Sequence, residues 1–144
     1  MKRLVPILIA LALLPTACDQ APQEQVTRQQ TPIIRLPNVA GGPGVAYLDV
    51  ALPAAPGDLV SVTSARIGRI EMHESMMQGN MSTMHALDRI HTGGEPALHF
   101  APGGRHLMLF DLDPALHPGD AVTLDFHFSG GLTESFVAYV ARSN

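Results

Sequence analysis

The chain has 144 residues, with nine Lys and Arg side chains against thirteen Asp and Glu, for a formal net charge of −4. That length allows one domain with one modest hydrophobic core and excludes a second domain of ordinary size. Because lysine is absent after position 2 and no basic cluster occurs, the composition also excludes a nucleic-acid-binding protein.

Residues 1–17 have the pattern of a secretory signal peptide. Lys2 and Arg3 precede an apolar run over 4–14, which small residues follow. The run is shorter than the roughly 20 residues that a membrane-spanning helix needs, so we predict no transmembrane helix in the mature protein. Removing Lys2 and Arg3 from the nine basic residues leaves seven against thirteen acidic ones, a net charge of −6.

The only cysteine, Cys18, directly follows this segment. The run Leu14-Pro15-Thr16-Ala17-Cys18 resembles the lipobox of bacterial lipoproteins, although Pro15 departs from the leucine preferred there. We predict that Cys18 is lipidated and is the first mature residue. Plain cleavage near Ala17 and an unmodified cysteine are the alternatives. In each case a single cysteine can form no disulfide within the chain.

Residues 18–36 are predicted to be a flexible linker, because Gln, Pro and Thr dominate 19–32 and large apolar residues are almost absent there. Such a segment spans roughly 20 Å as a random coil. With Cys18 anchored, it would hold the following domain near the membrane in the periplasm. The folded domain is predicted to occupy 37–144.

Short alternating segments punctuated by Gly and Pro predict strands from about residue 33 onward. In the clearest, Ala121–Phe128, the apolar residues at every second position share one face and polar residues the other. Gly130-Gly131 predicts a hairpin turn into the last strand. The predicted strands are 45–50, 59–64, 67–73, 97–100, 106–110, 121–129 and 132–140. Seven such strands and no helical period predict an all-β, antiparallel Greek-key sandwich or barrel.

Six of the seven methionines lie between Met72 and Met108. In His106-Leu107-Met108, strand alternation directs the imidazole and the thioether to one face and Leu107 to the other, which gives half of a metal site. For the remaining methionines other than Met84, filling of core gaps or loose surface placement explains the sequence as well as metal binding does. These residues are Met72, Met76, Met77 and Met81.

A hairpin could supply the other half of the site. A two-residue turn at Gln78-Gly79 would put His73 directly opposite Met84, close enough to share an ion. A turn at Gly79-Asn80 would instead put Met84 opposite Ser75. The sequence leaves both registers open.

Two imidazoles and two thioethers form a soft, neutral ligand set that suits Cu(I) and fits Mg²⁺, Ca²⁺ or Mn²⁺ poorly. Zinc is a weaker competitor because thioethers are not among its usual donors. Thioethers need no deprotonation and form no disulfides, so they can hold Cu(I) outside the cytoplasm. The other histidines are predicted to be surface or hydrogen-bonded residues: His85, His91, His99, His117 and His127.

The domain lacks the cysteine that an electron-transfer blue copper site requires, and no nucleophile motif indicates a hydrolase. We therefore predict that the protein is not an enzyme.

The spacing of the four candidate ligands resembles the signature H(M)X10MX21HXM of PCuAC periplasmic copper chaperones. Ten residues separate His73 from Met84, and twenty-one separate Met84 from His106-Leu107-Met108. The resemblance covers about 37–140. It implies a cupredoxin-like, immunoglobulin-like sandwich that binds Cu(I) at an exposed site through His73, Met84, His106 and Met108.

The same resemblance implies that the protein delivers copper towards the CuA centre of cytochrome c oxidase, with subunit II as acceptor and thioredoxin-fold copper chaperones as further partners. We predict that the protein is a monomer. Its contact with the membrane would be through a lipid anchor only. Two other functions stay open from the sequence. One is a periplasmic copper buffer or resistance protein with no dedicated acceptor, and the other is a metal-free immunoglobulin-like interaction module.

Overall fold

The computed structural model describes residues 30–141, and within that range it contains nine strands and no helix. The strands are β1 (Ile33–Arg35), β2 (Gly44–Ala51), β3 (Leu59–Thr63), β4 (Ile67–Gln78), β5 (Met81–Leu87), β6 (Ala97–Phe100), β7 (Arg105–Leu112), β8 (Ala121–Phe128) and β9 (Thr133–Val140). The all-β prediction is confirmed.

The strands form one continuous sheet in the order β3-β8-β9-β1-β2-β7-β4-β5, and β6 pairs with β2 beside this path. Neighbouring strands are antiparallel except β1 and β9, which are parallel. The predicted antiparallel arrangement is therefore wrong at this one pair. A parallel pair needs a long connection between its strands, and here the connection is nearly the whole domain.

The core lies between the two halves of the curled sheet. Along β8, every second residue from Val122 to Phe128 is buried, as the alternation predicts. The Phe126 ring packs against Phe100 of β6, with ring centroids 5.9 Å apart, and meets Phe136 edge-on at 5.5 Å. Phe136 is on β9, the neighbour of β8, so it is the contact with Phe100 that joins the two halves of the sandwich across one shared core.

The folded domain begins before residue 37, so the predicted linker 18–36 extends too far. Strand β1 pairs with both β2 and β9, and its central residue, Ile34, is fully buried. Three residues are too few to display an alternating pattern, which is why the sequence did not separate β1 from the linker. The predicted signal peptide, Cys18 and residues 18–29 lie outside the described residues, as do 142–144.

Residues 30–141 contain no helix that is long and apolar enough to cross a bilayer.

Strands β7 and β4 have one face in the core and one facing outward. Leu107 and Leu109 of β7 are fully buried, and Met72 lies opposite Leu107 on β4. Residues at alternate positions therefore occupy the outer face of the sandwich, among them His73, His106 and Met108.

Candidate metal centre

The β4–β5 hairpin turns at Gly79-Asn80. Gln78 pairs with Met81, so Met84 lies opposite Ser75 and His73 lies opposite Ala86. The register with His73 opposite Met84 is wrong, and the alternative one is confirmed. Gly79 has φ +62°, which suits the first loop position of a type II′ turn, where glycine is strongly preferred. A turn at Gln78-Gly79 would require Gln78 in that position.

On the β7 side of β4, the neighbour of His73 is a histidine. It is directly opposite His106 of β7, and the two ring centroids are 5.9 Å apart with a 43° tilt between the ring planes. Met108 lies two residues along β7, opposite Glu71, and Leu107 between them points into the core, as the alternation predicts.

The four candidate ligands occupy the same outer face of three neighbouring strands. The two histidines form the centre, Met108 is diagonal to His73 on the β7 side, and Met84 is diagonal to His73 on the β5 side. Diagonal neighbours in an antiparallel pair are about 7–8 Å apart, within reach of a long methionine side chain.

Exposure differs strongly among these side chains. His106 is only 5% exposed and the His73 side chain 16%, whereas Met84 is 53% exposed and Met108 is half-buried. The histidines are therefore held in the surface of the sandwich, and Met84 is the group that solvent or a partner reaches most easily.

Hydrogen bonds fix the tautomer of each ring. His106 Nδ1 is 3.0 Å from the Gly104 carbonyl oxygen. Because a carbonyl only accepts, Nδ1 must carry a proton and donate it, so the lone pair of the neutral ring is on Nε2. His73 Nε2 lies 3.0 Å from a carboxylate oxygen of Glu71 and donates to it, so the lone pair of the neutral His73 ring is on Nδ1.

The environment of His73 Nδ1 is unusual for a polar atom. The atom is buried, and among residues 30–141 it has no hydrogen-bond partner. Buried polar atoms are normally paired, so an unpaired imidazole nitrogen needs an explanation. A metal ion bound at Nδ1 would provide one.

Glu71 is itself held in place. Its second carboxylate oxygen contacts the guanidinium group of Arg69, and the Arg69 guanidinium carbon lies 3.9 Å from the centre of the Phe110 ring. Arg69 and Phe110 are directly opposite each other, one row beyond Glu71 and Met108. This chain of contacts could not be predicted from the sequence, because proximity of Glu71 to His73 along the chain does not reveal a side-chain hydrogen bond.

In the described part of the chain, no group of three or more His, Cys, Asp or Glu side chains could hold a metal ion. A metal at His73 and His106 would therefore need donors of another kind, and the thioethers of Met84 and Met108 are on the same face. Four other histidines make hydrogen bonds or ion pairs with other groups, as predicted: His91, His99, His117 and His127.

Comparison with known proteins relates the chain to lipoproteins and to copper-binding domains. Residues 26–140 match the family model described as "Putative lipoprotein LpqE-like". The "Putative lipoprotein Lxx21020" of Leifsonia xyli subsp. xyli is 29% identical over 121 residues, covering 81% of this chain and 72% of that protein. The uncharacterized protein RP573 of Rickettsia prowazekii is 31% identical over 87 residues, covering 60% of this chain and 48% of that protein.

Two solved structures have the same fold. The copper-bound PCuAC domain from PmoF2 superposes with a TM-score of 0.60 at 22% identity, over 80% of this chain and 92% of that one. The solution structure of CuI-DR1885 from Deinococcus radiodurans gives a TM-score of 0.60 at 19% identity, over 87% and 86%. The chain therefore belongs to the LpqE-like lipoprotein family, and its domain has the fold of PCuAC domains, as the sequence resemblance implied.

Proposed function

We propose that this protein is a Cu(I) chaperone of the periplasm that holds one copper ion with His73, Met84, His106 and Met108 and releases it to an acceptor protein by ligand exchange. The observation that carries the proposal is the Nδ1 atom of His73, which is buried beside the ring of His106 and has no hydrogen-bond partner in the described residues 30–141. The PmoF2 domain and DR1885, which have the same fold, have both been solved with copper bound, and this supports the proposal.

The chemistry of the donors favours Cu(I). Imidazole nitrogen and thioether sulfur are soft, uncharged ligands, and neither carries a negative charge that would favour a hard divalent ion. In this proposal His73 binds through Nδ1 and His106 through Nε2, because the opposite ring nitrogens donate to Glu71 and Gly104.

Release follows from the unequal exposure of the ligands. Thioethers bind Cu(I) through a neutral sulfur, and Met84 is more than half exposed while the histidines are nearly buried. An incoming donor would therefore displace Met84 first and the histidines last. No proton needs to move when a thioether leaves, since it has none to gain or lose.

Anaerobic titration of the apo protein with Cu(I) against a competing chelator tests the binding site. We expect one tightly bound equivalent, and loss of that binding when His106 and Met108 are both changed to Ala. His99→Ala is the matched control, because His99 is an exposed strand histidine bonded to Asp49. Stoichiometric binding that persists in the His106/Met108 double variant would refute the ligand assignment.

X-ray absorption of the copper-loaded protein counts the ligands independently. We expect a nitrogen shell and a sulfur shell, and a reduced sulfur contribution in Met84→Leu. A spectrum with nitrogen and oxygen alone would exclude the thioethers from the site.

We propose that the acceptor is the CuA centre of cytochrome c oxidase subunit II, with thioredoxin-fold copper chaperones as further partners. Mixing the copper-loaded protein with the apo CuA domain tests this directly. If the CuA domain is the acceptor, it should hold the copper once equilibrium is reached. A protein that only buffers copper would retain it. Deleting the gene then distinguishes the two functions. Loss of a chaperone should impair oxidase assembly, whereas loss of a buffer should reduce copper tolerance.

We also propose that Cys18 carries a lipid that anchors the protein to the membrane, facing the periplasm. The LpqE-like family and the Leifsonia relative are both named as lipoproteins, which supports the anchor. Cys18→Ser should move the protein from the membrane fraction to the soluble periplasmic fraction. Unchanged membrane association of that variant would refute the lipid anchor.

A further inference from the structure

The β4–β5 hairpin extends past the strand that flanks it. Pairing of β4 with β7 ends at Glu74 and Arg105, with one more hydrogen bond from the Ser75 N–H to the Gly104 carbonyl. Pairing of β4 with β5 continues to Gln78 and Met81. Within the described part of the chain, residues 76–84 are therefore the tip of a two-stranded ribbon with both faces open, which we call the methionine arm.

Four methionine side chains of this arm are exposed to solvent. The exposed fractions are 49% for Met76, 69% for Met77, 68% for Met81 and 53% for Met84. Filling of core gaps, the usual role of methionine, does not account for side chains in water. Surface placement of one methionine is ordinary, but four within nine residues of an acidic domain form a cluster of soft donors.

Strand alternation divides the four methionines between the two faces of the arm. Met84 is opposite Ser75, and Met77 is opposite Ser82, so both lie on the face that carries His73. Met76 is opposite Thr83 and Met81 is opposite Gln78, so these two lie on the other face.

On the His73 face the donors follow one another in successive rows. Met77 is in the outermost row, Met84 is in the next row inward, and the histidine pair comes next. Successive same-face positions are about 7 Å apart along a strand, and diagonal neighbours across an antiparallel pair are about 7–8 Å apart. An unbranched thioether side chain with three rotatable bonds covers a large part of such a step.

We propose that Met77 is an entry and exit ligand for Cu(I), which binds the ion transiently at the arm and exchanges it with Met84. This inference rests on the proposed function, because the copper ion that enters at Met77 is bound next by Met84 and the histidine pair. In each exchange one Cu–S bond to Met77 breaks as one Cu–S bond to Met84 forms. The copper stays Cu(I), and no proton or electron is transferred.

The ribbon structure of the arm favours such exchange. A two-stranded hairpin without further strands is only marginally stable in water, so the tip bends at low cost. Bending towards the histidine pair shortens the path between the Met77 and Met84 sulfurs. The buried histidines, in contrast, keep the resting site fixed.

Stopped-flow measurement of copper uptake from a Cu(I)–bicinchoninate complex, and of copper loss to excess bicinchoninate, tests the role of Met77. We expect Met77→Leu to slow uptake and loss by the same several-fold factor, with an unchanged equilibrium affinity. Met81→Leu is the matched control, because Met81 has the same exposure on the opposite face. Wild-type rates in Met77→Leu, or equal slowing by Met81→Leu, would overturn the inference.

Methyl spectra of the full-length apo protein labelled with ¹³C at the methionine methyl groups separate this inference from the proposed function. As Cu(I) is added up to one equivalent, we expect the methyl signals of Met84 and Met108 to shift and the signal of Met77 to broaden through exchange with its transient copper-bound state. The signals of Met76 and Met81 should stay constant. Responses at Met84 and Met108 without one at Met77 would overturn only the entry role. No response at any methionine would overturn the proposed site together with the entry role.

Discussion

At the scale of single residues, Glu71 decides which nitrogen of His73 is free. Its carboxylate accepts the proton of Nε2, and Arg69 holds the other carboxylate oxygen. Carboxylates that bond the second nitrogen of a ligating histidine fix its orientation and raise its basicity. Glu71 therefore acts on the metal through His73, as a positioning residue.

Glu71→Ala should weaken Cu(I) binding by about 10–100-fold, the usual loss when the partner of a ligating histidine is removed. Competition titration with a Cu(I) chelator measures the change. Glu134→Ala on β9 is the control, and it should bind copper like the wild type. Unchanged affinity in Glu71→Ala would show that His73 needs no carboxylate partner.

Imidazole tautomers can be observed without any copper. Long-range ¹⁵N–¹H spectra of the apo protein at neutral pH should show the proton on Nε2 in His73 and on Nδ1 in His106. Glu71→Ala should shift only His73 towards a mixture of the two tautomers, because the His106 bond to Gly104 is intact. A wild-type His73 with its proton on Nδ1 would contradict the proposed coordination through that atom.

The candidate ligands could be chosen from the sequence, but their hydrogen bonds could not. Strand alternation and fixed spacing are local properties, and they singled out His106 and Met108 on one strand face. The carboxylate that orients His73 depends on side-chain rotamers and on packing of Arg69 against Phe110, which no spacing encodes. The same limit applies to the Gly104 carbonyl, since a backbone atom carries no sequence signal.

At the scale of strands and loops, the loop after β2 packs tightly against the β8–β9 hairpin. The Asp58 N–H donates to Ser129 Oγ at 2.9 Å, and the Ser129 N–H donates to the Asp58 carbonyl at 2.8 Å. Gly57 has φ +82°, and a Cβ there would lie 2.5 Å from Ser129 Oγ and 2.9 Å from the Gly130 nitrogen. Only glycine fits at this junction.

Gly57→Ala should lower the free energy of unfolding by more than Gly93→Ala does. Both glycines have positive φ, so both substitutions incur the backbone cost of about 1–2 kcal/mol. Gly93 has open space where a Cβ would be, whereas Gly57 would add a steric cost of about 1–3 kcal/mol. Urea denaturation of the two variants measures the difference, and equal losses would contradict the steric argument.

The strands that the sequence revealed are those with a regular burial pattern. Strand β8 alternates between buried and less buried positions over its whole length, and its boundaries were predicted within one residue. Strand β5 has no buried residue, so its pattern offers no alternation, and only the turn signal at Gly79 indicated it. Strand β1 is held by pairing to β9 at the far end of the chain, which local patterns cannot report.

At the scale of the whole molecule, Arg66 joins two connections that are distant along the chain. It lies between β3 and β4 and contacts Asp113 at 3.0 Å and Asp120 at 3.3 Å, both in the β7–β8 connection. These ion pairs are partly exposed, so each adds little stability by itself. Their carboxylates nevertheless respond to pH, because the folded state favours the charged form.

The pKa of the Asp113 carboxyl is lowered from its usual 3.8, first by the hydrogen bond from the Ala115 N–H and then by Arg66. The pKa of Asp120 is lowered in the same direction, first by the His117 N–H and also by Arg66. A carboxyl whose pKa is lower when folded stabilises the protein above its unfolded pKa. That contribution is lost as the pH falls through the lower, folded value.

Wild-type protein should therefore lose stability on acidification below about pH 4 more steeply than a variant with Asp113→Asn and Asp120→Asn. Urea denaturation between pH 2 and pH 7 measures both curves. The wild type should have the higher free energy of unfolding at pH 7. Its advantage over the variant should shrink as the pH falls, because the protonated aspartates then resemble the asparagines. Glu134→Gln is the control for a carboxylate outside this network. A difference in the free energy of unfolding that stays constant down to pH 2 would show that these two carboxylates do not couple folding to pH.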